Sequence, residues 1–323
     1  MKKKHFIDKR AIEMSFNWIF ALLVGGFVLL LAIYGATKFI QTSEQTLYTE
    51  TAASLVSLFD PLETGLASGK ASQLRFAKKS RVFFDCSASS NAPFGVQTIS
   101  FSEQTIGEKF GETGGRISIK DKYVFSEEVV EGKTLFYFSK PFFMSYRVGD
   151  LMMLYSDNEP YCVYGAREDF QDDIEDLKLA NIIFPNSTTS CSGITVCFST
   201  IQKSCDIKIF DNEQYVLKKG KRLYYEGDLL YAALFSSPEI YECNIQRLKQ
   251  RYNVLGNSYL EKIKILERNN CQPQIGPKLS VSINYSLTNS QSLPAFFSLV
   301  EDIDAIHARA KEECKLYYST GFE

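Results

Sequence analysis

The run 14–37, MSFNWIFALLVGGFVLLLAIYGAT, carries no charged side chain and follows directly on the basic leader MKKKHFIDKR. At about 1.5 Å per residue, a helix of this length crosses a hydrocarbon core of roughly 30 Å, whereas a cleaved secretory core is usually only about 7–15 residues. No A-x-A-type site stands between it and the polar stretch 41–46. The run therefore reads as a retained transmembrane helix. Lys2, Lys3, Lys4, Lys9 and Arg10 precede it and Lys38 stands just behind it, so the positive-inside rule puts residues 1–13 in the cytoplasm. The rest of the chain is then an extracytoplasmic domain on a single-pass anchor in the cell membrane.

Removing the six basic and two acidic residues of positions 1–38 from the totals of 36 and 38 leaves 30 basic against 36 acidic residues outside. That balance argues against a nucleic-acid partner, which clustered Lys and Arg normally meet. All eight cysteines, Cys86, Cys162, Cys191, Cys197, Cys205, Cys243, Cys271 and Cys314, lie on the expected outer side. An even count in an oxidising compartment favours disulfides. No C-x-x-C spacing occurs and His5 and His307 are the only histidines, which starves a zinc site of ligands. The sequons at Asn186 and Asn284 suit an exposed, glycosylated exterior.

Along the chain, residues 38–60 form a helical stalk. Tyr48, Ala52, Leu55, Val56 and Phe59 fall at helical spacing, and this narrow apolar stripe needs cover from the ectodomain or from another copy. Residues 61–185 are β-rich, with short runs at 82–84, 96–101, 116–119, 123–125, 135–138 and 151–155 punctuated by Gly, Asp and Ser, as in an antiparallel sheet. An acidic helix follows at 167–180, with Asp169, Asp172, Asp173, Glu175 and Asp176 on a solvated face. A strand at 181–184 ends that part; residues 186–323 are α+β, with a strand at 194–198, a hairpin over 215–225 turning at Lys218-Lys219-Gly220-Lys221, then two long helices at 238–269 and 293–318. If those helices pack antiparallel, Cys243 approaches Cys314. The expected fold class is thus an α+β ectodomain, an antiparallel β-rich part followed by two long helices, on one transmembrane helix with a helical stalk.

Two motifs carry chemistry. Asp85-Cys86-Ser87-Ala88-Ser89, a D-x-S-x-S sequence behind the apolar run 82–84, resembles the cation-binding motif of von Willebrand factor A-like domains. The resemblance implies a divalent metal held by the oxygens of Asp85, Ser87 and Ser89; the plainer alternative is a Ser-rich turn beside a disulfide. His307 has no G-x-S-x-G or comparable nucleophile motif to serve, and is expected on the surface of the last helix. No P-loop and no G-x-G-x-x-G is present, and no other cofactor is implied.

Before the apolar run, Lys9-Arg10-Ala11-Ile12-Glu13 resembles the processing region of archaeal class III signal peptides, found in type IV pilin-like proteins. The resemblance implies a cut between Ala11 and Ile12, here with Glu13 two positions past it, and an apolar helix that packs into an assembly. The small residues Ala21, Gly25, Ala32 and Ala36 permit close helix approach. The whole chain, through its SFNWIFALL anchor opening and its DLLYAALFSSPEIYEC segment at 228–243, looks like single-span proteins of small archaea, a resemblance that implies no activity. The expected function is a non-enzymatic cell-surface protein that associates with protein partners or with itself through its anchor. A cation-dependent binding ectodomain is the alternative. An extracytoplasmic hydrolase stands last, for want of a nucleophile, base and orienting residue that can be named together.

Overall fold

The computed structural model describes residues 16–59, 71–89, 92–105, 107–185, 191–198, 204–269, 271–311 and 314–317. The expected processing residues Ala11, Ile12 and Glu13, and the sequon at Asn186, lie outside them. Helix α1 (Phe16–Leu58) is continuous over 43 residues, about 65 Å at the standard rise. Its apolar portion is long enough to cross a membrane by length and composition, and none of that stretch is covered by the rest of the chain.

The rest of the chain is α+β and built on two mixed sheets. The first has the order β3-β2-β1-β5-β6-β4, from β1 (Ser72–Ser87), β2 (Val96–Glu103), β3 (Ile117–Ile119), β4 (Tyr123–Phe125), β5 (Val129–Met144) and β6 (Tyr146–Ser156). Its pairs are antiparallel except β4 beside β6, which is parallel, so the sheet is mixed where alternation alone suggested antiparallel pairing throughout. The second sheet, β12-β11-β10-β9-β7-β8, is parallel through β10, β9, β7 and β8 and antiparallel in its outer hairpin. Its strands are β7 (Tyr161–Tyr164), β8 (Ile182–Ile183), β9 (Ile194–Phe198), β10 (Ile207–Phe210), β11 (Tyr215–Lys218) and β12 (Lys221–Tyr224). The boundary expected at 185 therefore falls inside a sheet, with β7 and β8 before it and β9 after it.

The first sheet curls. Gln97, fully buried on β2, places its amide against both main-chain groups of Val124 on β4: Nε2 donates to the carbonyl at 2.7 Å, and the Val124 N–H donates to Oε1 at 3.1 Å. The side chain thus stands in for a neighbouring strand and draws the two ends of the sheet together. On the curled face, Tyr48, Ala52, Leu55 and Phe59 of the stalk region form one apolar cluster with Val82, Phe84, Ile99, Phe101, Ile119 and Val124. The stripe is covered by the chain's own first sheet. Each large side chain buried there contributes about 1.5–3 kcal/mol. Polar contacts set the register, because Thr49 Oγ1 accepts the Gly115 N–H at 2.6 Å and Gln45 Nε2 donates to Glu112 at 2.7 Å. Gly114 admits the helix, since a Cβ there would lie 2.6 Å from the Thr49 nitrogen and 2.7 Å from the Tyr48 carbonyl carbon.

The opposite face of the first sheet packs through Phe138, Leu151, Met153 and Tyr155 against the second sheet and the helices, in one large core. The acidic segment is α2 (Glu168–Asp176), with Phe170 and Ile174 buried. Helix α3 (Leu229–Phe235) is buried along its whole length. In place of two long helices the chain forms one, α4 (Pro238–Arg268), followed by α5 (Gly276–Asn284) and the 16-residue α6 (Leu293–Ala308). Ser237 caps α4 by accepting the Ile240 N–H, with Pro238 at the first helical position. Helix α6 stops ten residues short of 318 because the chain turns back there: buried His307 accepts the Leu316 N–H at Nε2, 3.2 Å away, and stacks on Tyr317. His307 is a core residue and not the surface residue its motif-free context suggested.

All eight cysteines are paired: Cys86–Cys243, Cys162–Cys191, Cys197–Cys205 and Cys271–Cys314. The expected Cys243–Cys314 pair is wrong. Cys243 sits in the first turns of α4 against β1, whereas Cys314 returns to the far end of that helix, where Lys262 Nζ holds the Leu316 carbonyl. Those ends are roughly 35–40 Å apart at the standard rise, far beyond the separation of about 7 Å that a disulfide spans.

Stalk docking depends on the absence of a side chain at Gly114. Gly114→Val is expected to destabilise the folded domain by about 1–3 kcal/mol through overpacking, while Gly276→Ala, whose added Cβ would meet only the Ile263 Cδ1 at 3.6 Å, serves as the control. Urea denaturation of the full-length protein in micelles measures the difference.

Candidate functional site

The D-x-S-x-S segment lies at the end of β1 with Asp85, Ser87 and Ser89 exposed. Asp85 pairs with Arg116 of the neighbouring segment at 2.8 Å, and both side chains are more than half exposed. A divalent ion here would have to displace that guanidinium from the one carboxylate of the motif. Strand alternation turns Cys86 the other way, inward to Cys243 on α4.

Behind the motif is a buried polar cluster that sequence reasoning missed. Arg247 of α4, fully buried, donates through Nε to the Phe94 carbonyl at 3.0 Å. Its Nη1 donates to the Lys122 carbonyl at 3.0 Å, to Asn244 Oδ1 at 2.8 Å and to Gln97 Oε1 at 3.3 Å. Asn244 in turn donates to the Val124 carbonyl at 2.8 Å, and Gln250 to the Ala88 carbonyl at 2.8 Å. Burial pulls the Arg247 pKa down to about 10, so the group is still charged at neutral pH, stabilised by carbonyl and amide dipoles. Gly95, in the left-handed region at φ 65°, lets the β1–β2 connection cross this guanidinium stem: a Cβ would sit 2.9 Å from the Arg247 Cγ. No local pattern announces Arg247, because apart from Asn244 its acceptors, Phe94, Gln97 and Lys122, come from segments more than 100 residues away in sequence.

Three lysines occupy comparable places. Lys218, buried, donates to the carbonyls of Leu234 and Ser236 and pairs with Glu127 at 2.7 Å. Burial lowers its pKa; burial likewise opposes ionisation of Glu127, yet Lys218 and Lys219 hold that carboxylate below its usual value. Lys140 bridges Asp173 and Asp228 and lies over the Tyr231 ring, whose hydroxyl also binds Asp173. Asp173 is thereby drawn off the solvated face expected for its helix. Lys249, only 4% exposed, donates to Asn253 and to the Ile283 carbonyl at 2.9 Å, with Tyr252 and Phe296 beside it. Burial alone depresses its pKa to about 8.

Each of these groups ties one element to another. Arg247 joins α4 to both ends of the first sheet, Lys140 joins β5 to α2 and α3, and Lys249 holds the last turn of α5 on α4. Asn284 of the second sequon is exposed at the end of α5, with its amide donating to Ser280 at 2.9 Å. A crevice of about 810 Å³ opens beside the Cys271–Cys314 bridge, between the C-terminal end of α4 and that of α6. Among the described residues no group of three His, Cys, Asp or Glu side chains converges as a metal site.

Two predictions separate structural from peripheral residues. Arg247→Met leaves several buried acceptors unpaired and is expected to cost about 3 kcal/mol or more, whereas Asp85→Ala removes an exposed ion pair and is expected to cost less than about 1 kcal/mol; chemical denaturation under non-reducing conditions distinguishes them. Between pH 8 and 10 the folded chain has released the Lys249 proton while the unfolded chain, with a lysine pKa of about 10.4, still binds it. Stability therefore rises with pH across that window, and Lys249→Met is expected to flatten the rise in a pH series of thermal melts. No family model, no curated protein and no solved structure matches the chain, so its own geometry carries the functional reading.

Proposed function

We propose that this chain is a non-enzymatic cell-surface protein, anchored in the cell membrane by one N-terminal helix and assembling through that helix as a pilin-like subunit. The observation that carries the reading is the continuity of α1: one uninterrupted helix is bare and apolar at its start and clamped to the ectodomain at its end. Lateral contacts made by the anchor are thereby transmitted to the head without a hinge. Four disulfides support an extracytoplasmic head, since such bridges persist in oxidising compartments.

The free side of the stalk supports self-association. Ile40, Leu47 and Leu58 are exposed and, with Thr51 and Ser54, fall on one stripe about a quarter turn from the docked face. The hydroxyls of Thr42, Thr46, Thr51 and Ser54 all donate back to carbonyls four residues earlier, so a partner helix would meet few unpaired donors. Removal of the leader at Ile12 belongs to the same reading.

Cysteine cross-linking in native membranes tests it. Leu47→Cys is expected to yield covalent dimers on mild oxidation, while Ala52→Cys, shielded by the chain's own sheet, is not. Absence of cross-linked species from Leu47→Cys and Ser54→Cys alike would sink the assembly reading.

A further inference from the structure

Strand β5 outlasts its neighbour. On one side Val129 to Gly132 pair with β1, Val82 standing opposite Val130 and Arg81 opposite Glu131. On the other side β6 joins only from Leu135, opposite Ser156. Past Ser156 the chain leaves the first sheet for β7 of the second, and the step leaves an opening of about 160 Å³.

Main-chain groups face this opening. Phe84 N–H donates to the Glu128 carbonyl at 2.8 Å. Antiparallel alternation then turns Glu128, Val130 and Gly132 toward β1, and Val129 and Glu131 toward the gap. Lys133, the next N–H on the gap side, is already met by Asp157 at 3.0 Å. No described group meets the N–H or C=O of Val129 or Glu131, and the Val129 side chain is 46% exposed. Natural proteins usually blunt such a free edge, and an extended peptide is its direct complement.

The lining supplies a charge. Glu127, Glu131 and Glu159 all border the opening. Lys218 and Lys219 neutralise Glu127, and Lys79 and Arg81 neutralise Glu131, but Glu159 has no ion-pair partner among the described residues. Tyr161, only 4% exposed, lines the same opening, and its hydroxyl has no hydrogen-bond partner among the described residues. Burial, reinforced by Glu127 and Glu159, keeps that phenol protonated. The volume suits one long side chain better than a complete small-molecule ligand, whose pockets run to about 300 Å³ and above.

We propose that this opening receives an extended strand of a partner protein, paired through its main chain to Val129 and Glu131 and directing a lysine or arginine side chain to Glu159 and the Tyr161 hydroxyl. The recognition is strand addition with a cation-selective pocket, and it is independent of how the anchor assembles.

The test uses full-length protein in nanodiscs and two labelled peptides, Thr-Val-Lys-Val-Thr and its counterpart with norleucine for lysine. The lysine peptide is expected to bind saturably and to slow amide exchange at Val129 and Glu131. Glu159→Gln should weaken the lysine peptide by up to about fivefold, the range of a partly exposed ion pair, and leave the norleucine peptide unchanged. Val129→Pro, which removes a gap-facing N–H and no bond to β1, should abolish binding of both while the thermal transition persists. Four results would overturn the proposal: no binding of either peptide at millimolar concentration, binding that leaves the two amides unprotected, both amides protected before peptide is added, or n-butylammonium binding as tightly as the lysine peptide.

Discussion

Docking of the stalk onto the first sheet is the contact on which the rest of the architecture depends. An apolar helix in a bilayer has no orientation of its own with respect to a soluble head; the stripe Tyr48, Ala52, Leu55 and Phe59 supplies one. Because the stripe continues the same helix, burying it also removes the place where a flexible linker would otherwise sit. Gly114 and Thr49 refine the contact, one by admitting the helix backbone and the other by fixing its axial position through the Gly115 N–H.

A second tie keeps the curled sheet on the rest of the domain. Cys86–Cys243 joins β1 to the start of α4 across 157 residues of sequence, and Arg247, one turn further on, binds carbonyls and amides from the β1–β2 connection, β2 and the approach to β4. The two devices act at the same corner by different physics. The disulfide restricts the unfolded chain, and the guanidinium gathers acceptors that would otherwise be buried without donors. The D-x-S-x-S segment lies over this corner, where its inward cysteine belongs to the tie and its outward oxygens face solvent.

Features written in local periodicity were legible in sequence. The long apolar N-terminal helix, the stripe at 48–59, the strands around 96–101, 117–119, 123–125 and 194–198, and the 219–220 turn all depend on residues within a few positions of one another. What escaped depends on distant partners. The first half of β1, with Arg75, Lys78 and Lys79, does not look like a strand, because it is held by β5 and not by its own apolar content. The division into two sheets, with the switch after Ser156, leaves no compositional mark. Gln97, Asn244 and Arg247 look like ordinary surface residues until the fold brings main-chain carbonyls to them. The mistaken Cys243–Cys314 pair arose from imagining two helices of equal length, when the real turn at Ala308 brings Cys314 back to Cys271.

The most direct measurement is residue-resolved hydrogen exchange on the full-length protein in a bilayer. If anchor and head are one body, the amides of 48–58 exchange in the same slow class as those of β1 and β2, and they are released together with that sheet as denaturant is added. Exchange of 48–58 at the rate of a solvated, fraying helix while β1 and β2 stay protected would contradict the account, because the stalk would then be a tether and the head would be free of its anchor.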